Sequence, residues 1–134
     1  MKEVALDPET VMEAARAAAS RAYAPYSNFH VGAAILTGSG AIHSGSNVEN
    51  ASYGLSICAE RNAATTMAAA DPEDREIALV AVFSLNASPC FPCGACRQVL
   101  REFGCKEVVV EDDQGLRRYP FDQILPNSFG PEAL

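Results

Sequence analysis

Apolar and polar positions alternate in short blocks along the chain, and each block predicts an element. Residues 8–23, PETVMEAARAAASRAY, read as a helix: alanine dominates, Asp7 supplies an N-cap and Pro8 suits the first helical position. APYSN breaks it. FHVGAAIL, 29–36, reads as a strand, TGSGA as a turn and IHSGSN as a second strand, which makes a hairpin. VENASYGLSI is irregular, rich in small and polar groups. CAERNAATTMAAA, 58–70, reads as a helix that DPED stops. IALVAVFSL, 77–85, is a continuous apolar run and suits a strand covered on both faces. A further helix opens near Pro92 or Cys93 and reaches about Phe103. EVVVED, 107–112, is another strand, DQG a turn, and LRRYPF a short edge strand with Pro120 at its end. DQILPNSFGPEAL closes the chain as a short helical turn and tail. Strands alternating with helices predict an α/β layered sheet with parallel pairing in its middle.

Composition narrows the function classes. A chain of 134 residues, 49% hydrophobic and 20% charged, suits one globular domain over 1–134. No apolar run reaches the roughly 18 residues of a membrane span, and the first residues lack a signal-peptide apolar core. A cytoplasmic address is therefore expected, stable disulfides are not, and clustered cysteines read as metal ligands or catalytic thiols. A net charge of −7 argues against nucleic acid as a partner, which needs a positive surface. The Arg117–Arg118 pair is too short for a basic stripe and reads as a solvated turn or strand end.

Cysteine spacing changes the picture most. SPCFPCGACRQV, 88–99, holds three of the five cysteines, Cys90, Cys93 and Cys96, and Cys58 lies upstream in ICAERNAA. Cys58 falls at one predicted helix start, Cys93 and Cys96 in the first turn of another. Positions i and i+3 share a helix face, so both sulfurs reach one ion, and helix N-termini favour thiolate over thiol. Three protein ligands with an open fourth position is the arrangement of a catalytic zinc. Glu60, two residues past Cys58, is placed to move protons without being a ligand. Three thiolates leave such a site negative, and Arg61 or Arg97, each directly following a cluster residue, offsets this by donating to sulfur. A closed four-cysteine knot that includes Cys90 is the competing reading. Cys105 reads best as a small buried hydrophobe, a reading also open to Cys90, and Glu60 alone fits an acid complementing the helix dipole.

CAER together with PCGACRQ resembles the zinc-dependent nucleoside deaminases, whose known signature is His or Cys, x, Glu, then P-C-x-x-C. AYAPYSNFHVGAA, NVENASYG and LPNSFGPEAL extend the resemblance over nearly the whole chain, to the small homotetrameric cytidine deaminases. The resemblance implies a three-layer α/β/α sandwich with a mixed sheet of about five strands. It implies one zinc ion per subunit on Cys58, Cys93 and Cys96, with Glu60 as the proton shuttle. It implies that Asn47 and Glu49 bind the ribose 3′-hydroxyl, that Phe29 packs on the pyrimidine, and that Ala51 reads the base edge with backbone near Cys58. Tyr26, Tyr53 and Phe129 would stand at subunit junctions and help to complete neighbouring pockets. Arg61 and Arg97 match arginines at the thiolates, and Gln98 a structural position beside them.

The residues themselves agree in part. Asn47 and Glu49 alternate by two, so in an extended segment both side chains face one way, although Asn47 also fits a turn former. Phe29 and Phe129 read from hydrophobicity alone as core, Tyr26 and Tyr53 as half-buried phenols anchoring a loop. The resulting expectation is hydrolytic deamination of cytidine and 2′-deoxycytidine in pyrimidine salvage, with a nucleoside substrate, a homotetramer, no nucleic acid and no membrane. A cytosine-bearing antibiotic of the blasticidin type, a nucleotide, a polynucleotide substrate and a non-catalytic zinc module are the alternatives.

Overall fold

The computed structural model describes residues 7–134. Helix α1 spans Pro8–Ala19, β1 Val31–Thr37, β2 Ile42–Ser46, α2 Ala59–Ala70, β3 Ile77–Ser84, α3 Gly94–Glu102, β4 Glu107–Asp112, β5 Gly115–Pro120 and α4 Phe121–Ile124. Short 3-10 turns cover Tyr53–Leu55 and Pro131–Ala133. The strands form one sheet in the order β2-β1-β3-β4-β5. β3 and β4 run parallel, and the other neighbours run antiparallel. The expected mixed sheet is present, with its parallel pair between β3 and β4 and LRRYP on an edge.

Residue periodicity explains the layers. Successive strand side chains point to opposite faces. Val31, Ala33 and Ile35 of β1 join Val80 and Val82 of β3 and Val108 and Val110 of β4 under α2, α3 and α4. Ala34, Leu36, Leu79, Ala81 and Val109 meet Val11, Met12 and Ala15 of α1 on the other face. β1 is buried at every position, as a strand covered on both faces must be. Small residues bring the helices close. A Cβ on Gly32 would stand 2.0 Å from the Ala15 carbonyl oxygen of α1, and one on Gly45 would stand 2.5 Å from the Ala63 nitrogen of α2.

The boundaries of α1 and β1 differ most from the pattern reading. α1 stops at Ala19 instead of running to residue 23. The Tyr23 amide donates to the Asn47 carbonyl at 2.9 Å and its own carbonyl accepts from the Glu49 amide at 2.9 Å. The backbone there belongs to a bridge with Val48 and is lost to the helix. β1 begins at Val31 instead of residue 29, because the Phe29 carbonyl accepts from Asn47 Nδ2 and the His30 amide donates to Asn86 Oδ1. Phe29 therefore sits in the approach to the strand. Asp7 caps α1 as expected, accepting from the Glu9 amide, and Pro8 is the first helical residue.

Arginines tie the layers together. Arg16 of α1 bridges Glu9 and Glu111, with Nη1 and Nη2 each 2.8 Å from a carboxylate oxygen. Arg118 grips Glu107 through two hydrogen bonds and Arg117 holds Asp112, so the Arg117–Arg118 pair is engaged along the solvated β5 edge. Among the described residues no helix is long and apolar enough to cross a membrane.

Candidate active site

β1 and β3 are antiparallel, so the start of β1 lies beside the end of β3, with Val31 opposite Ser84. The loop leaving β3 carries Cys90 and Phe91 to α3, and α2 opens on the same face of the sheet. These three segments enclose a cleft of about 210 Å³. Its walls include Phe29, Asn47, Cys58, Glu60, Cys90, Phe91 and Cys93.

Both helices begin on a cysteine. Cys58 is the N-cap of α2 and Cys93 the N-cap of α3; neither side chain caps a backbone amide, so both sulfurs are free to turn elsewhere. Cys96 lies in the first turn of α3 and is buried. Sγ of Cys93 is 4.0 Å from that of Cys58 and 3.5 Å from that of Cys96, and all three sulfurs fall within 4.8 Å of one another. Three thiolates at about 2.3 Å from one tetrahedral zinc lie roughly 3.8 Å apart, so the cluster already has the span a zinc ion requires. The donor chemistry agrees. Hydrogen bonds from the Cys96 and Cys93 thiols, with the Arg61 charge adding, hold Cys58 down at about 6. The same coupling to Cys58, together with burial, drives Cys96 well above the ordinary thiol range. All three sulfurs can be thiolates together only around a cation.

Cys90 is outside that group, which overturns the four-cysteine knot. Its partly buried thiol packs against the core and is pushed up to about 11 by burial first and the Glu60 charge second. Cys105 is a core residue, as expected, and its thiol donates to the Glu107 carbonyl.

Glu60 stands in the first turn of α2 and is only 4% exposed. Burial pushes its carboxyl up to about 7, and the Cys58 charge pushes in the same direction. That is far from a solvated acid serving only the helix dipole.

The arginines act differently from expectation. Neither donates to sulfur. Arg61 Nη2 donates to the Ser56 carbonyl at 3.2 Å. Arg97 donates from Nε to the Pro92 carbonyl and from Nη1 to the Ile124 carbonyl, each at 2.7 Å. They brace the backbone that carries the ligands, and Arg61 reaches Cys58 only through its charge. Gln98 Nε2 donates to the Phe129 carbonyl at 2.9 Å and so fixes the C-terminal tail on α3.

Asn47 and Glu49 line different clefts. Asn47 borders the cysteines, accepting from the Val31 amide at 2.9 Å and donating to the Phe29 carbonyl at 2.7 Å. Glu49 shares an adjoining cleft of about 310 Å³ with Tyr26, Ser27, Tyr53 and Ser56. Its carboxylate accepts from the amides of Tyr26 and Ser27 and from the Ser27 hydroxyl, which hold it below the usual range. Ala51 is exposed in the bend before the 3-10 turn, away from the metal cleft's walls. Tyr26 and Tyr53 pack edge to face at 6.2 Å; Tyr26, 52% exposed, fits the half-buried phenol, whereas Tyr53 at 76% does not and Phe129 at 62% is not core. The sequence reading missed Ser27 and Ser56 beside Glu49, and Val31 and Phe91 at the metal cleft. Only Phe91 carried a signal, its place between Cys90 and the ligand pair.

Residues 6–112 match the family model of the cytidine and deoxycytidylate deaminase zinc-binding region. The chain belongs to this family. A probable cytidine deaminase of Dictyostelium discoideum is 42% identical over 94% of this chain and 86% of its own. A cytidine deaminase of Halalkalibacterium halodurans is 38% identical over 96% and 98%. The crystal structure of cytidine deaminase from Burkholderia pseudomallei superposes with a TM-score of 0.81 at 45% identity, covering 92% of this chain and all of that one. For a member of this zinc-binding family, the cluster of Cys58, Cys93 and Cys96 is the group positioned to hold the metal.

Proposed function

We propose that this chain deaminates cytidine and 2′-deoxycytidine hydrolytically, water replacing the 4-amino group and ammonia leaving. The observation that carries the reading is the buried Glu60 carboxyl beside three convergent sulfurs in a cleft of nucleobase size. Zinc, when bound, supplies Lewis acidity of the kind that lowers a water's pKa to about 7. Cys58, Cys93 and Cys96 hold it, one ion per subunit. Glu60 takes a proton from the attacking water and gives it to N3, then takes the proton of the new C4 hydroxyl and delivers it to the departing amine, so that the C4 carbonyl forms as ammonia leaves. A shuttle works best when its pKa lies near the operating pH, and burial raises the Glu60 carboxyl in that direction.

The remaining assignments follow from what each group has free. Phe29 offers a ring face to the pyrimidine. Asn47 keeps one lone pair and one N–H beyond its two backbone bonds, enough for a sugar hydroxyl, and the 3′-hydroxyl would meet Glu49 from the adjoining cleft. Glu49 would repel a phosphate, which favours nucleosides over nucleotides. Arg61, Arg97 and Gln98 keep ligand and tail backbones in place.

Exposed Tyr26, Tyr53 and Phe129 suit a buried junction between subunits better than solvent. The reading therefore takes residues 1–134 as one catalytic domain assembling into a cytosolic homotetramer with composite sites. Sedimentation of the zinc-loaded protein checks this, and a monomer with full turnover would refute it.

The test of function is paired, on one purified sample: zinc content per chain, and loss of cytidine absorbance with ammonia release. About one zinc with turnover is expected. Zinc without turnover on either nucleoside would overturn the substrate assignment.

A further inference from the structure

We propose that Phe91 is a specificity-determining residue: held against Tyr119, it forms the wall that faces the C5 edge of the pyrimidine. The inference rests on the deaminase reading above and deepens it.

Phe91 lines the metal cleft together with Phe29, Cys58 and Glu60. Its far side meets Tyr119 of β5, ring centroids 5.3 Å apart at 65°. Edge-to-face pairs of this kind are favourable beyond the area they bury. The backbone on either side is fixed as well. The Ser88 hydroxyl donates to the Glu111 carbonyl at the end of β4 at 3.0 Å, and Arg97 holds the Pro92 carbonyl. Pro92 restricts the preceding residue, Phe91, to extended backbone, and Cys90 packs against the core. Phe91 is therefore a preorganised wall.

Chemistry decides which substrate edge the wall meets. C4 must lie at the sulfur cluster, because the bond to nitrogen breaks there. N3, on one side of C4, must face Glu60, which comes from α2. Phe91 comes from the loop before α3, two residues ahead of Cys93, and has no polar atom to offer N3 or O2. The edge left beside C4 is C5–H, which is apolar and needs no partner. A methyl group at C5 would press on a ring that Tyr119 and the pinned loop prevent from yielding. One methylene more or less in an apolar pocket is worth about 10–200-fold in discrimination.

The experiment compares kcat/KM for cytidine and 5-methylcytidine in the zinc-loaded wild type, Phe91→Ala, Phe91→Leu and Tyr119→Ala. The ratio of 5-methylcytidine to cytidine should rise about tenfold or more in Phe91→Ala, and by less in Phe91→Leu and Tyr119→Ala, all with zinc retained. Rates falling equally on both substrates, with the ratio unmoved, would show a merely structural residue and overturn the proposal. Should Phe91→Ala fail to fold, an unmoved ratio in the other two variants overturns it equally. A wild type that converts neither nucleoside overturns the deaminase reading and this one with it; cytidine turnover with an unmoved ratio overturns this one alone.

Discussion

Glu60 carries the sharpest conflict between stability and use. A carboxyl raised from 4.5 to about 7 by burial prefers to stay protonated in the folded chain. Folding is unpenalised below pH 4.5, where folded and unfolded forms both hold the proton. The penalty grows up to pH 7 and is complete above it, reaching about 3 kcal/mol. Metal-free Glu60→Gln should therefore melt higher than metal-free wild type at pH 8 and equally at pH 4, while the zinc-loaded variant keeps its metal and loses most turnover. An equal melting temperature at pH 8, or an active variant, contradicts this. Cys90→Ser should retain zinc and activity, since the Cys90 sulfur is outside the cluster; loss of metal would make it a ligand.

At the scale of elements, two helix starts on one face of the sheet make the site, and Gly45 sets how closely one of those helices, α2, approaches the sheet. Gly45→Ala would drive a methyl group into the backbone of α2, at Ala63 nitrogen and Ala59 carbonyl. The backbone has no flexible end to give way, so a cost of about 1–3 kcal/mol follows. α2 carries Cys58 and Glu60, so zinc affinity should fall together with the melting temperature. Gly54→Ala meets nothing within 4 Å and serves as the control, within about 0.5 kcal/mol of wild type. Thermal melts and competitive zinc titration of both variants check the difference.

Across the whole molecule, acid works in the opposite sense from Glu60. Asp74 accepts from the hydroxyls of Thr37 and Ser39 at the β1–β2 turn, and both lower its pKa. A lowered carboxylate contributes stability that is present above its unfolded pKa near 4 and is lost as pH falls through the folded value. Asp74→Asn should thus be less stable than wild type at pH 7, with the gap closing in stronger acid. A gap that widens on acidification would refute the assignment. Glu49, Asp112 and Glu132 are lowered too, so the folded chain as a whole should weaken in acid.

The sequence by itself determined the order of elements and an α/β layered sheet, and put Cys58, Cys93 and Cys96 forward as ligands while leaving Cys90 a candidate. Those depend on local facts: apolar runs, a capping Asp7 before Pro8, and cysteines at i and i+3 beside a helix start. Tertiary structure decided what distant segments do to one another. It ended α1 early because Tyr23 pairs with Val48, and it separated Asn47 from Glu49 into neighbouring clefts. It turned Arg61 and Arg97 toward backbone carbonyls and set Phe91 between the metal cleft and Tyr119. Each outcome depends on which backbone or ring is available across the fold, and spacing along a chain carries no record of that.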